Sequence, residues 1–149
     1  MAGRYGLQIR AAVPADAPGI AELMAAAGCD VSPTALADRL EALRKGSGTI
    51  LLALEWGPPS GLIVLNWIRT LEADHPVAQV STLLVSPDDR RRGIGRMLLK
   101  AGAQAARSAG CGTLHLLTAP DQHGLRAFGA ANGFEEAGTR FTRPLRKGA

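Results

Sequence analysis

The sequence predicts one mixed α/β domain over residues 1–149, in the order β-α-α-β-β-β-α-β-α-β with room for one more closing strand. Three observations carry this. Short apolar runs of strand character alternate with stretches of helical period. The residues between them are Gly, Pro, Ser and Asp, which cap helices or form turns. With 46% apolar and 20% charged residues, a chain of 149 has enough material for one sizeable core and reads as ordered protein.

"LQIRAA" (7–12) alternates and reads as the first strand. Asp16 stands where a helix cap belongs, before "APGIAELMAAAG", whose Ile20, Leu23, Met24 and Ala27 share one face and whose Gly28 ends it. "SPTALADRLEALRKG" has Ser32 as cap, Pro33 in the first turn, and Leu36, Leu40 and Leu43 at helical spacing. "TILLALEW" (49–56) and "GLIVLNWIRTL" (61–71) flank "GPPSG" and predict a hairpin. "VAQVSTLLV" (77–85) is the next strand. A helix over 94–109 carries Ile94, Met97, Leu98, Ala101 and Ala105 on one stripe and stops at Gly110. "TLHLLTA" (113–119) reads as a buried strand with His115 packed inside it. "QHGLRAFGAANG" is a short helix, and "FEEAGTRFTRPL" supplies one or two closing strands. Strand 77–85, helix 94–109 and strand 113–119 predict a right-handed crossover. Trp56, Trp67 and Phe141 are expected to pack.

Composition narrows the function classes. Cys29 and Cys111 are the only cysteines and lie far apart, so neither a disulfide framework nor a zinc or other metal site is expected. No signal-peptide core and no membrane-length apolar run is seen, which predicts a soluble cytoplasmic protein with no membrane partner. Much of the net charge of +4 comes from "RRR" (90–92) and "RPLRKGA" (143–149). That is a local anion site and a basic tail; with six aromatics in the chain, a nucleic-acid surface is not expected.

The informative stretch is "SPDDRRRGIGRMLLKA" (86–101). Consecutive arginines repel one another, and glycine costs a helix about 0.8–1 kcal/mol against alanine. An anion at a helix N-terminus offsets both, because unpaired N–H groups and the helix dipole favour negative charge there. Gly93 and Gly95 let the backbone come close to it. A Walker loop would need Gly-Lys-Ser/Thr, and a dinucleotide fingerprint a third Gly near Leu98; neither is present. What remains is R-x-x-G-x-G over Arg90, Gly93 and Gly95, between a strand and a helix.

"VSTLLVSPDDRRRGIGRMLLKAGAQAARSAGC" resembles the acyl-coenzyme A motif of the GNAT N-acetyltransferase superfamily, and "FGAANGF" (128–134) resembles its F-Y-x-x-x-G-F; the closing "FTRPL" looks like small aminoglycoside-acetyltransferase-like members. The resemblance covers nearly the whole chain. It implies a mostly antiparallel central sheet flanked by about four helices, with acetyl-CoA as cosubstrate. It further implies acetyl transfer, by direct attack, to a primary amine of a small molecule or peptide. Arg90, Arg91, Arg92, Gly93, Ile94, Gly95 and Arg96 would hold the pyrophosphate. Leu83, Leu84 and Val85 would pair with the pantetheine arm, a bulge near Leu83 or Leu84 freeing an N–H for the thioester carbonyl. Gln122 and Phe128 would meet the cofactor. Homodimers are common in the family, so a homodimer is the assembly to test.

Two departures bear on catalysis. Gly129 stands where the family's Tyr protonates the departing thiolate. Gln79 and Ser81 stand where some members carry a strand carboxylate. The candidates left for proton transfer are His75, in "EADHP" beside Glu72 and Asp74, and His123 at the start of the last helix. These departures motivate the alternative of a non-catalytic acyl-CoA-binding or regulatory module; the two basic clusters motivate a nucleic-acid-binding reading, which ranks below both.

Overall fold

A computed structural model describes residues 6–90 and 92–148. The chain divides into two compact units, one ending at Leu117 and the other running from Thr118.

Among the described residues, the first unit is a five-stranded sheet with three α-helices. Its strands are β1 (Gln8–Ala11), β2 (Gly48–Leu54), β3 (Gly61–Ile68), β4 (Val77–Val85) and β5 (Thr113–Leu116). They lie side by side in sequence order, antiparallel except for the last pair, where β4 and β5 run parallel. The parallel pair requires a crossover, and α3 (Ile94–Ser108) makes it. α1 (Ala17–Ala26) and α2 (Pro33–Lys45) connect β1 to β2. The mixed, mostly antiparallel class expected from the sequence is the one observed.

The two faces of the sheet bury different cores. On one, Ile50, Leu52, Leu62 and Val64 pack with Ile20 and Leu23 of α1 and Leu36 and Leu40 of α2. On the other, α3 buries Ile94, Leu98, Leu99 and Ala106, while Gly102 brings its backbone down onto the Ile63 and Leu65 side chains. Each large aliphatic side chain so enclosed is worth about 1.5–3 kcal/mol of transfer free energy. Ser32 caps α2 as expected, its Oγ accepting from the Ala35 N–H at 3.1 Å.

Asp16 does something other than cap. Its carboxylate turns back to accept from the Val13 N–H (2.8 Å) and from both Arg10 amino groups (2.8 and 2.7 Å). The Arg10 hydrogen bonds hold its pKa below the ordinary carboxylate value. A residue already in helical conformation cannot aim its side chain at the N–H groups ahead, so the cap role is lost.

Three other expectations are corrected. β5 is four residues long and half-exposed, with Thr113 and His115 facing out, because it forms an edge of this sheet and buries one face only. Trp56 is exposed in the β2–β3 turn. In the second unit, α4 (His123–Ala131) forms as expected, but residues 134–144 make no strand. A strand needs a partnered edge and an apolar face to cover; Phe141 and Leu145 of this segment stay exposed instead. No helix among the described residues is long and apolar enough to cross a membrane.

Candidate functional site

The site begins with a register fault. Along β3 and β4, Thr82 pairs with Val64, but the next pair is Val80 with Leu65, which leaves Ser81 as an extra residue. This bulge changes which side chains face which core. Before it, Ala78 and Val80 are fully buried; after it, Leu84 packs with Leu62 and Val64 against the α1–α2 core. The expected bulge near Leu83 or Leu84 is thus observed a little earlier. The sequence carries a trace of it: Ser81 and Thr82 are adjacent polar residues that interrupt the apolar pattern of the strand. The Ser81 hydroxyl sits 3.3 Å from the Asn66 Oδ1 and 3.5 Å from the Val64 carbonyl oxygen.

Beyond the bulge, no strand of the first unit pairs with the edge of β4 away from β3 among the described residues. Its ladder with β5 ends at Val80 and Leu116, followed by one long bond of 3.4 Å from the Leu117 N–H to the Val80 oxygen. On the other side, the Ser86 N–H donates to Ser60 at 2.8 Å. Alternate residues of an antiparallel ladder face the partner strand, so Leu84 and Thr82 turn their main-chain groups to β3 as Ser86 does. The N–H and C=O groups of Leu83 and Val85 face the open edge.

That edge leads into a 3₁₀ turn over Pro87–Asp89 and then into α3. Gly93 is the N-cap of α3, in the left-handed region at φ +78° and with no side chain to offer; its carbonyl accepts the helix's first bond, from Met97 at 3.0 Å. The amides of Gly93, Ile94 and Gly95 therefore have no intrahelical acceptor. A Cβ at Gly93 would meet nothing within 4 Å, so the space beside the cap residue itself is open. An unpaired strand edge running into an uncapped helix N-terminus can take an extended chain of amides ending in phosphates.

The arginines around it differ in situation. Arg90 is exposed. Arg91 lies outside the described residues. Arg92 is also exposed but is held by two carboxylates: its Nη1 donates to Asp89 at 2.6 Å and its Nη2 to Glu55. These bonds, that to Glu55 first, raise its pKa above the ordinary guanidinium value. Arg96 is on the first turn of α3. Glu55 went unread in the sequence, where it is one charge ending an apolar strand, 37 residues from its partner.

His75 is not brought to this place. A side chain at Gly112 would stand 3.1 Å from the His75 Cβ, so the imidazole packs beside the α3–β5 connection. It lies six positions before Ser81, about 20 Å along an extended chain. Gln122, His123 and Phe128 belong to the second unit. There the Gln122 Oε1 accepts from the Ala119 N–H at 2.7 Å, and the Phe128 carbonyl accepts from the Asn132 Nδ2 at 2.8 Å. Among the described residues no cluster of metal-ligating side chains occurs.

A profile of the family described as "Acetyltransferase (GNAT) family" matches residues 20–134. The chain belongs to the GNAT acetyltransferase family. Solved structures agree. A putative acetyltransferase from Agrobacterium tumefaciens is 27% identical over 93% of this chain and 99% of its own, with a TM-score of 0.81. AAC(6')-Iy, in complex with the bisubstrate analogue CoA-S-monomethyl-acetylneamine, is 21% identical over 95% of this chain and 99% of its own, with a TM-score of 0.78. An aminoglycoside acetyltransferase from an uncultured soil metagenomic sample, in complex with sisomicin, is 18% identical over 94% and 97%, with a TM-score of 0.77. At those identities the last two speak for the GNAT fold alone. No curated protein matches the sequence.

Proposed function

We propose that this GNAT chain moves an acetyl group from acetyl-CoA to a primary amine of a small molecule or peptide, with residues 1–149 acting as one catalytic domain. The observation that carries the reading is the continuity of the open β4 edge with the glycine-capped start of α3. Amides of Gly93, Ile94 and Gly95 hold the pyrophosphate, with Arg90 and Arg96 adding positive potential. Leu83 and Val85 pair with the pantetheine amides; Leu84, whose main chain is turned to β3, does not. An N–H at the bulge polarises the thioester carbonyl and stabilises the tetrahedral oxyanion.

In the transfer the amine nitrogen bonds to the thioester carbon, the C–S bond breaks, and coenzyme A leaves as a thiolate. An ammonium of pKa about 10 must lose one proton before attack and the adduct a second one after it. Gln79 and Ser81 do not titrate usefully beside the bulge, and His75 is remote. The reaction is therefore expected to draw on the fraction of amine already neutral. For an alkylamine, kcat/KM should rise about tenfold per pH unit from pH 6 to 9. A plateau near neutrality would reveal a protein base and overturn this account of the proton. The activity itself is tested by incubating the chain with acetyl-CoA and a panel of amines and following release of free thiol.

Gly129, at the position of the family's Tyr, favours a second reading: an acyl-CoA-binding module without turnover. Tight CoA binding with no thiol release across the panel would select it, and one efficient amine would exclude it.

A further inference from the structure

We propose that Glu55 is a positioning residue for coenzyme A: together with Asp89 it makes Arg92 a strut that holds the β4–α3 turn in shape, so that Arg92 is not itself a phosphate ligand. This rests on the acetyl-CoA reading above.

The sheet register brings the partners together. Ala53 pairs with Gly61, and Gly61 pairs with Val85, so the end of β2 lies level with the end of β4. Glu55, just past β2, thereby reaches the turn that follows β4. Its side chain is well enclosed at 12% exposure, against 25% for Asp89 and 39% for Arg92. The two Arg92 amino groups go to two different carboxylates, Asp89 within the turn itself and Glu55 just past the end of β2. A planar guanidinium held at both ends is fixed in orientation as a flexible ammonium is not. Charge points the same way. Two carboxylates more than balance one guanidinium, so Arg92 adds no net attraction for a phosphate. Arg92 directly precedes Gly93, and anchoring it sets where the left-handed cap and the amides behind it stand. Phosphate recognition is left to those amides, whose value depends on their placement.

The test uses the intact chain, with coenzyme A and pantetheine as probes, the latter lacking the pyrophosphate. Glu55→Ala should weaken CoA binding about tenfold and leave pantetheine affinity within about twofold, since only the phosphate end is misplaced. Glu55→Gln should recover part of the loss, because its amide oxygen still accepts from Arg92. Arg92→Lys keeps the charge but cannot span two carboxylates, and should bind CoA about as poorly as Glu55→Ala. CoA affinity in Glu55→Ala equal to or tighter than wild type, or wild-type affinity in Arg92→Lys, would make Arg92 a simple charge ligand and overturn the proposal. An equal loss for both probes would do the same, by showing a general disturbance. Failure of the wild-type chain to bind CoA would instead defeat the acetyl-CoA reading, with no variant needed to see it.

Discussion

Gly93→Glu should lower the affinity for coenzyme A at least about 100-fold, equivalent to about 2.7 kcal/mol. Two effects add. The new side chain must stand at φ +78°, a left-handed conformation that costs an ordinary residue about 1–2 kcal/mol. It also places a carboxylate at a helix N-terminus whose proposed ligand is a diphosphate, so like charges meet where the dipole would have favoured one of them. Gly93→Ala separates the two, since nothing lies within 4 Å of its Cβ position. The alanine variant should lose some thermal stability and less than about tenfold in affinity. Calorimetric titration of both variants with CoA gives the comparison. Equal affinities for wild type and Gly93→Glu would remove the pyrophosphate from this turn.

The largest effect on stability is expected at Gly48. It opens β2 at φ +155°, and a Cβ there would stand 2.2 Å from the Leu65 carbonyl oxygen and 3.1 Å from the Asn66 Cα. These are backbone atoms of the neighbouring strand, held in the ladder that pairs Gly48 with Asn66 and Thr49 with Leu65. No rotamer change relieves the clash; the start of β2 must leave β3. Gly48→Ala should cost about 3 kcal/mol or more, lowering the melting temperature by about 6–12 °C in a chain of this size. Thermal unfolding followed by circular dichroism measures it, and a drop below about 2 °C would show that the two strands part there at little cost.

Much of this architecture was legible because it rests on local chemistry. The α3 stripe is a 3.6-residue pattern that Ile94 and Leu98 announce and the sheet then covers. The helix after Ser32 and Pro33 starts where a hydroxyl cap and a proline say it must. Gly93 marks the turn because its left-handed backbone, at φ +78°, is one that other residues adopt only at a cost.

What stayed hidden is long-range or depends on a partner. The strand expected over "FEEAGTRFTRPL" followed the last helix as a closing strand would, but chain order does not supply an edge to pair with. His115 looked buried because its neighbours are apolar; on an edge strand one face remains outside. Asp16 looked like a cap because acids precede helices, and the nearby Arg10 claimed it. The Glu55–Arg92 pair is joined through the registers of three strands, which no local pattern reports. The bulge lies between these cases: Ser81 and Thr82 break the alternation in plain view, yet the consequence for Leu83, Leu84 and Val85 needs the hydrogen bond from Ser86 to Ser60 to fix which residues face outward.

The central claim is that main-chain amides of β4 and α3 hold the cosubstrate. Amide NMR of the isotopically labelled chain, titrated with coenzyme A, tests it residue by residue. The N–H signals of Leu83, Val85, Gly93, Ile94 and Gly95 should shift strongly and saturably, while that of Leu84, turned to β3, should move far less. Unperturbed signals from Gly93 to Gly95, with shifts concentrated elsewhere in the sheet, would contradict the account.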